Sequence, residues 1–195
     1  GNIENHEAEV IGRVEGVTLD RSKNAETLLG RWAADMVRSA GDTEIGIYNP
    51  GGLRADLIAG PLTLGGLYRV FPFSNDVVQF EMSGDQVVGL LLKNAGSELS
   101  GRHPVMQLSG IAAQWRVRGG APELVHVTVG EGVLDPDAVY TAATNSYVTD
   151  RWQYNLGFEP TNQVLQGSTV YEAAVAQAQA GVIVAPSTPR MTRVQ

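Results

Sequence analysis

One stretch of the sequence reads Asn49-Pro50-Gly51-Gly52-Leu53-Arg54-Ala55-Asp56-Leu57, and it follows directly on a short apolar run. Its paired glycines allow the backbone to turn tightly and to approach a ligand closely, and the arginine behind them suits a phosphate or a carboxylate. Further along, Phe71-Pro72-Phe73-Ser74-Asn75 places an aromatic ring between a proline and a polar pair. Together the two stretches predict a phosphate clamp and a base-stacking ring on neighbouring loops, which would form half of a nucleotide site.

A simpler interpretation of both stretches stays open at this point. Most glycine turns merely connect two elements and carry a solvent-exposed arginine. Phe71 and Phe73 flank a proline, and both could fill the core. We expect instead that Phe71 is buried and that Phe73 is exposed to a ligand.

Composition limits the classes of protein to which the chain can belong. Its 195 residues, 43% of them hydrophobic, predict one domain with one well-buried core. A net charge of −7 and the lack of any run of lysine or arginine argue against a duplex nucleic-acid surface, because such binding depends on neutralising many phosphates. No apolar stretch approaches the ~20 residues of a membrane helix, so we expect no membrane insertion. The absence of cysteine excludes disulfides and thiolate metal sites, and it suits an exported protein.

Hydrophobic periodicity predicts an α+β chain of mixed β-sheets with flanking helices. The predicted strands cover residues 7–17, 44–48, 76–82, 111–117, 125–129 and 140–145, with a last strand within 190–195. The predicted helices run from residue 24 or 25 to 41, from the N-cap Thr63 to 70, from a Ser83 and Gln86 capping box through 85–94, and over 170–180. Glycines 119 and 120 close a predicted hairpin, and residues 96–104 and 146–161 are predicted as loops.

The residues that could catalyse a reaction form no recognisable set. His6, His103 and His126 lack the paired spacing of metal ligands, and Ser109-Gly110 lacks the frame of a nucleophilic serine. A self-contained hydrolase that uses His103 or His126 is therefore the weakest of the functional hypotheses. The sequence indicates a chain that binds what it does not itself cleave.

An ordered series of motifs carries a resemblance to a known family. The series comprises Gly30-Arg31, residues 49–57, 67–75 and 77–92, Gln107-Leu108-Ser109-Gly110-Ile111, and Ala143-Thr144-Asn145-Ser146-Tyr147. In these motifs the sequence resembles the C-terminal, substrate-binding domain of the 5′-nucleotidase family, which includes bacterial UDP-sugar hydrolases and 2′,3′-cyclic-nucleotide phosphodiesterases. The resemblance covers nearly the whole chain, so residues 1–195 are predicted to form that one domain.

The resemblance implies a division of labour. This domain would bind the nucleotide substrate, while an N-terminal metallophosphoesterase domain of the same polypeptide, outside this sequence, would hold two divalent metal ions and hydrolyse the phosphate ester. We therefore expect no catalytic residue, metal ligand or cofactor in this chain, and an exported location in the periplasm, cell wall or extracellular space. The substrate-binding residues implied by the family motifs are Asn49, Gly52, Arg54, Phe73, Asn75, Gly110 and Tyr147, with Phe73 and Tyr147 stacking on the two faces of the base.

Further candidate binding residues are Arg21, Lys23, Asp150 and Trp152. Two departures from the family pattern accompany them. Ser74 replaces a glycine, and residues 149–154 replace a Gly-Gly-Asp-Gly segment whose aspartate would hold the ribose. The change at Ser74 is mild, and the altered segment at residues 149–154 is the best support for a second hypothesis, a non-catalytic ligand-sensing or cell-surface module that has kept the fold and lost the nucleotide site.

Overall fold

The computed structural model describes residues 2–195, with side chains from residue 4 onward. The helices are α1 (Asn2–Glu7), α2 (Leu28–Gly41), α3 (Leu64–Val70), α4 (Gly84–Ser100), α5 (Ser146–Asp150), α6 (Trp152–Asn155) and α7 (Val170–Ala180). The strands are β1 (Val10–Val14), β2 (Ile45–Tyr48), β3 (Gly60–Thr63), β4 (Asp76–Ser83), β5 (Gln107–Ser109), β6 (Ile111–Arg118), β7 (Ala121–Val129), β8 (Gly132–Val133), β9 (Val139–Asn145), β10 (Thr161–Thr169) and β11 (Met191–Arg193). The predicted α+β class with mixed sheets and flanking helices is confirmed.

A five-stranded mixed sheet in the order β10-β4-β9-β2-β5 forms the centre of the chain. Only β2 and β9 run parallel in it, and the other neighbours are antiparallel. One face packs against α2 and α7, and the other packs against α4, so each face has its own hydrophobic cluster. All four residues of β2 are buried, as expected of a strand covered on both faces.

A second sheet, in the order β11-β6-β7-β8, extends the cluster around α4. Its central hairpin pairs Arg118 with Ala121, which leaves Gly119 and Gly120 as a two-residue loop. Both glycines have positive φ, 59° and 82°, as a type I′ turn requires. The hairpin predicted at these glycines is confirmed, and so is the last strand, which pairs in parallel with β6.

Capping residues fix where several helices begin. The Thr63 hydroxyl accepts from Gly66 N at the start of α3, and Ser83 and Gln86 form the predicted capping box of α4. An additional capping box, Thr169 with Glu172, begins α7. Both capping predictions are confirmed.

Several predicted boundaries were wrong. The strand over 7–17 is shorter, because Glu7 ends α1 and pairing with β3 covers only β1. The first long helix begins at Leu28 and not at 24 or 25, because Thr27 is its N-cap. Helix α4 continues beyond residue 94, because the Asn94 side chain bonds inward to both backbone polar groups of Met106 and so does not end the helix.

Two further segments differ from their predictions. Residues 146–161, predicted as irregular, contain the short helices α5 and α6. Strand β10 was not predicted at all, because its first five residues are exposed and show no alternation of buried and exposed positions. Among the described residues no helix is long and apolar enough to cross a membrane.

Candidate functional site

The parallel strands β2 and β9 end side by side, and each delivers an asparagine to the same edge of the sheet. Asn49 follows β2, and Asn145 is the last residue of β9. The Asn145 side chain donates from Nδ2 to Asn49 Oδ1 at 2.8 Å, while its own Oδ1 accepts from Val148 N at 3.2 Å as the N-cap of α5. Because both asparagines are buried, this pairing fixes the direction of the Asn49 amide.

The glycine turn passes tightly over the end of β2. A Cβ on Gly52 would lie 3.0 Å from Tyr48 Cε1 and 3.2 Å from Asn49 Oδ1, so a side chain at this position would press on both residues. The turn, a 3₁₀ helix over Pro50–Gly52, is followed by Arg54, whose backbone N donates to Val70 O at 3.0 Å. The glycines therefore place Arg54 beside Val70, directly before the stretch Phe71–Asn75.

The two phenylalanines of the second motif lie in opposite environments, as expected. Phe71 is 1% exposed and packs against Trp32 and Tyr48 with ring centroids 6.0 Å away in each case. Phe73 is 46% exposed, and the Arg54 Cζ atom lies 5.9 Å from the centroid of its ring. The ring of Phe73 is therefore free to contact a ligand, whereas Phe71 anchors the loop in the core.

Helix α5 places Tyr147 near this loop. Its first residue, Ser146, accepts from the backbone N of Asp76 at 3.0 Å and from Asn75 Nδ2 at 3.5 Å. The Asn75 carbonyl in turn accepts from Val170 N at 2.9 Å. These bonds link the Phe73 loop to α5 and α7, and thereby fix the loop relative to the partly exposed Tyr147.

A cleft of about 400 Å³ collects the side chains from both motifs. Its lining consists of Lys23, Tyr48, Asn49, Gly51, Gly52, Arg54, Phe73, Asn75, Asn145 and Tyr147. The lining carries two cations and, among the described residues, no carboxylate. In a chain of net charge −7, this local excess of positive charge favours an anionic ligand.

Tyr48 lines the cleft and is buried. Burial raises the pKa of Tyr48 far above its usual value, and the adjacent Asn145 side chain opposes the rise. The hydroxyl is therefore neutral at physiological pH. It offers the cleft a dipole and an aromatic edge, and it is not a base.

The cleft contains Lys23 and six of the seven residues assigned from the family motifs. The seventh, Gly110, is absent from the lining. It joins β5 to β6 with φ +76°, and a Cβ there would lie 2.0 Å from Glu44 O. Its assignment as a base contact stays a prediction.

The other three candidates lie outside the cleft as well. Arg21 donates through its backbone N to Asp56 Oδ1 at 3.0 Å and through its guanidinium to Leu53 O at 3.4 Å. These two bonds stabilise the loop that carries Arg54. Trp152 packs against the hydrophobic cluster around α4. Asp150 lines a neighbouring cleft that also includes Tyr147.

Sequence analysis did not assign Tyr48, Gly51 and Asn145 to the site. Asn145 was quoted only as part of a motif. The signal that could have identified it was its position at the end of a predicted strand, matching that of Asn49.

The histidines lie on the surface, away from this cleft. His6, His103 and His126 are exposed. In the part of the chain that the structure describes, no three histidine, aspartate or glutamate side chains are grouped closely enough to hold a metal ion.

Comparison with known proteins identifies the family. The model of the family described as 5′-nucleotidase, C-terminal domain, matches residues 6–154. Endonuclease YhcR of Bacillus subtilis is 31% identical over 128 residues, which are 65% of this chain and 10% of that protein. Protein UshA of Salmonella pullorum is 33% identical over 144 residues, 70% of this chain and 24% of that protein. The chain thus spans between a tenth and a quarter of these curated relatives.

Solved structures share the fold at lower sequence identity. The 5′-nucleotidase precursor of Thermus thermophilus superimposes with a TM-score of 0.82 at 22% identity, covering 99% of this chain and 41% of that chain. The NAD nucleotidase of Haemophilus influenzae has the same TM-score of 0.82 at 19% identity, covering 98% and 39%. The chain belongs to the 5′-nucleotidase C-terminal domain family.

Proposed function

We propose that this chain is the substrate-recognition domain of a phosphoesterase that hydrolyses nucleotides. In this proposal it binds the base and polar groups of a nucleoside monophosphate, while an N-terminal domain of the same polypeptide with two divalent metal ions cleaves the phosphate ester. The observation that carries the proposal is the cleft itself. Two exposed rings, two cations and a fixed pair of asparagines line one cavity of about 400 Å³.

The rings would bind the base by stacking. Phe73 and Tyr147 come from separate loops and both keep substantial exposed area, 46% and 38%. Each ring in contact with a base contributes about 1 to 3 kcal/mol, a value measured by alanine substitution in proteins that bind single strands. The pair therefore supplies enough free energy for weak binding without any catalytic group.

The polar residues would fix the orientation of the nucleotide. Because Asn49 Oδ1 accepts from Asn145, the Nδ2 group of Asn49 is left to donate to a ligand acceptor. Arg54 and Lys23 supply positive charge for the phosphate side, and Asn75 lies beside Phe73 to contact the edge of the base. Amides and a guanidinium bind and orient a ligand, which fits a domain that recognises the nucleotide while another domain cleaves it.

The comparisons support the same division. The relatives UshA and YhcR are several times longer than this chain, and one family neighbour is named as a 5′-nucleotidase and another as an NAD nucleotidase. We propose an exported location on the family resemblance and the lack of cysteine. The alternative, a sensing module without hydrolysis, has its support in the departure at residues 149–154.

The test is calorimetric titration of the chain with AMP and adenosine, together with a phosphate-release assay. We expect weak binding of both ligands, tighter binding of AMP, and no phosphate release. Phe73→Ala and Tyr147→Ala should each weaken binding about 5- to 150-fold. Tyr68→Ala is the matched control, because Tyr68 is 54% exposed on α3 and lies outside the cleft.

Two results would contradict the proposal in different ways. Phosphate release from AMP by the pure chain would contradict the assignment of hydrolysis to another domain. Absence of binding to either ligand would contradict nucleotide recognition and favour the sensing module.

A further inference from the structure

Asn145 ends β9 and caps α5, and its side chain forms hydrogen bonds in both directions. Its Oδ1 accepts from the backbone N of Val148 at 3.2 Å, and its Nδ2 donates to Asn49 Oδ1 at 2.8 Å. A backbone N–H can only donate, so the bond from Val148 determines which end of the Asn145 amide is the oxygen. The nitrogen of that amide therefore faces Asn49.

The direction of the Asn145 amide determines that of the Asn49 amide in turn. Both side chains are buried, so neither can exchange its partner for bulk water. If the Asn49 amide turned over, its Nδ2 would face the Nδ2 of Asn145, and two buried donors would meet without an acceptor between them. A series of hydrogen bonds thus runs from the first turn of α5 to the end of β2 and sets the polarity of Asn49.

The other end of the Asn49 amide faces the cleft. Among residues 4–195, no protein acceptor forms a hydrogen bond with Asn49 Nδ2, which lies 3.8 Å from the position of a Cβ on Gly51. Apart from its chain neighbours, no other side chain lies within 4 Å of that position, and Gly51 itself lines the cleft. The Nδ2 group therefore has open space beside it and requires an acceptor from a ligand.

We propose that Asn145 is a positioning residue that makes the cleft selective for a nucleoside with a hydrogen-bond acceptor facing Asn49. The inference rests on the proposed function, because the ligand is the nucleoside held between Phe73 and Tyr147. The acceptor is a ring nitrogen of the base or a ribose hydroxyl, since both offer a lone pair to an amide N–H. Asn145 acts through Asn49 and needs no ligand contact of its own.

The test exchanges the donor of Asn145 for an acceptor. In Asn145→Asp, one carboxylate oxygen still caps α5, because aspartate and asparagine are equally good N-caps. The other oxygen faces Asn49 and can only accept, so the Asn49 amide must turn over to donate from its Nδ2. Its oxygen then faces the ligand. The substitution thus reverses the polarity of the contact and keeps the cap of the helix that carries Tyr147.

Calorimetric titration with neutral nucleosides measures this polarity without the charge of a phosphate. The probes are adenosine and five analogues that each lack one acceptor: 1-, 3- and 7-deazaadenosine for the base, and 2′- and 3′-deoxyadenosine for the ribose. With the unsubstituted chain we expect one analogue to bind about 2- to 12-fold more weakly than adenosine, the contribution of one hydrogen bond. In Asn145→Asp that difference should disappear, because the acceptor of adenosine would then face the oxygen of Asn49.

Two further variants separate polarity from capping and from charge. Asn145→Ser keeps an N-cap oxygen, but its shorter side chain does not reach Asn49, so it should also reduce the difference between adenosine and that analogue. Asn24→Asp is the control for charge, because Asn24 is exposed beside Lys23 and lies outside the lining of the cleft. It should leave the difference unchanged. Circular dichroism checks that each variant is folded.

The outcomes distinguish this inference from the proposed function. If adenosine binds and no analogue binds more weakly, the role of Asn145 is refuted and the proposed function stands. The same conclusion follows if both Asn145 variants weaken all six nucleosides by one common factor, which is the result expected of a merely structural residue. If neither adenosine nor AMP binds to the unsubstituted chain, both proposals are refuted.

Discussion

Replacing Gly30 in the first turn of α2 by alanine should destabilise the protein, although the same change normally strengthens a helix. Alanine is favoured over glycine by about 1 kcal/mol in helix interiors. At this position, however, a Cβ would lie 1.9 Å from Gln107 Oε1, 2.3 Å from its Cδ and 2.4 Å from its Cγ. All three distances are far below van der Waals contact, so the fully buried Gln107 side chain would have to leave its place.

That displacement would break a hydrogen-bond junction. Gln107 Oε1 accepts from Thr27 N at 3.0 Å, and its Nε2 donates to Ala25 O at 3.0 Å and to Val105 O at 2.8 Å. At about 0.5 to 1.5 kcal/mol for each of the three bonds, and after subtraction of about 1 kcal/mol for the helix preference, the net loss is about 0.5 to 3.5 kcal/mol. The assay is the free energy of unfolding from urea titration.

A matched substitution and a double variant make the result decisive. Gly89→Ala in α4 has nothing within 4 Å of the new methyl and should stabilise the protein slightly. Adding Gly30→Ala to a Gln107→Ala background should cost little, because the obstacle is already removed. The reasoning is refuted if Gly30→Ala raises stability as much as Gly89→Ala does. AMP titration gives a second readout, because Lys23 O accepts from Val105 N at 2.8 Å beside this junction.

Gly52→Ala should weaken AMP binding, because the new methyl would press on Asn49 and Tyr48. Gly51→Ala is the control: its Cβ would meet only Asn49 Nδ2, at 3.8 Å, so we expect a much smaller change in the dissociation constant. Equal effects of the two variants on the dissociation constant would contradict this prediction. Glu98→Gln should change how stability varies with pH. Burial, and secondarily the charge of Glu26, raises the pKa of Glu98 above its usual value of 4.5, so the folded state holds the proton more tightly than the unfolded state. The free energy of unfolding of the unsubstituted chain should therefore decrease as pH rises from 4.5 through the pKa of Glu98 in the folded state. In the Glu98→Gln variant this decrease should be absent. Urea midpoints at pH 4 and pH 7 measure it, and an unchanged pH dependence would count against it.

The sequence predicted those features of the fold that are determined by residues close to one another in the chain. Thr63 caps α3 from one residue before it, and the Gly119-Gly120 hairpin depends on its own two glycines. Most residues that line the cleft were predicted for the same reason, because they lie in two short segments, 49–54 and 73–75. The opposite burial of Phe71 and Phe73 is confirmed as well.

The parts that could not be predicted depend on residues distant in sequence. Helix α2 begins at Leu28 because Thr27 is its N-cap, and Gln107, 80 positions away, accepts a hydrogen bond from the Thr27 backbone N. Strand β10 is an edge strand whose exposed residues give no periodic signal, and only its pairing with β4 defines it. Gly30 was recognised as part of a motif, but its necessity comes from the same distant Gln107.

The site itself arises from one pairing that periodicity does not show, the parallel alignment of β2 with β9. Parallel strands bring their carboxyl ends to one edge, so Asn49 and Asn145 meet although 96 positions separate them. Asn145 also caps the helix that carries Tyr147, and so a single side chain orients the Asn49 amide and positions the start of α5. Helix α5 leads directly into Arg151, whose backbone N donates to Tyr147 O at 3.1 Å. The altered loop at residues 149–154 therefore follows directly on the junction at which Asn145 pairs with Asn49 and caps α5.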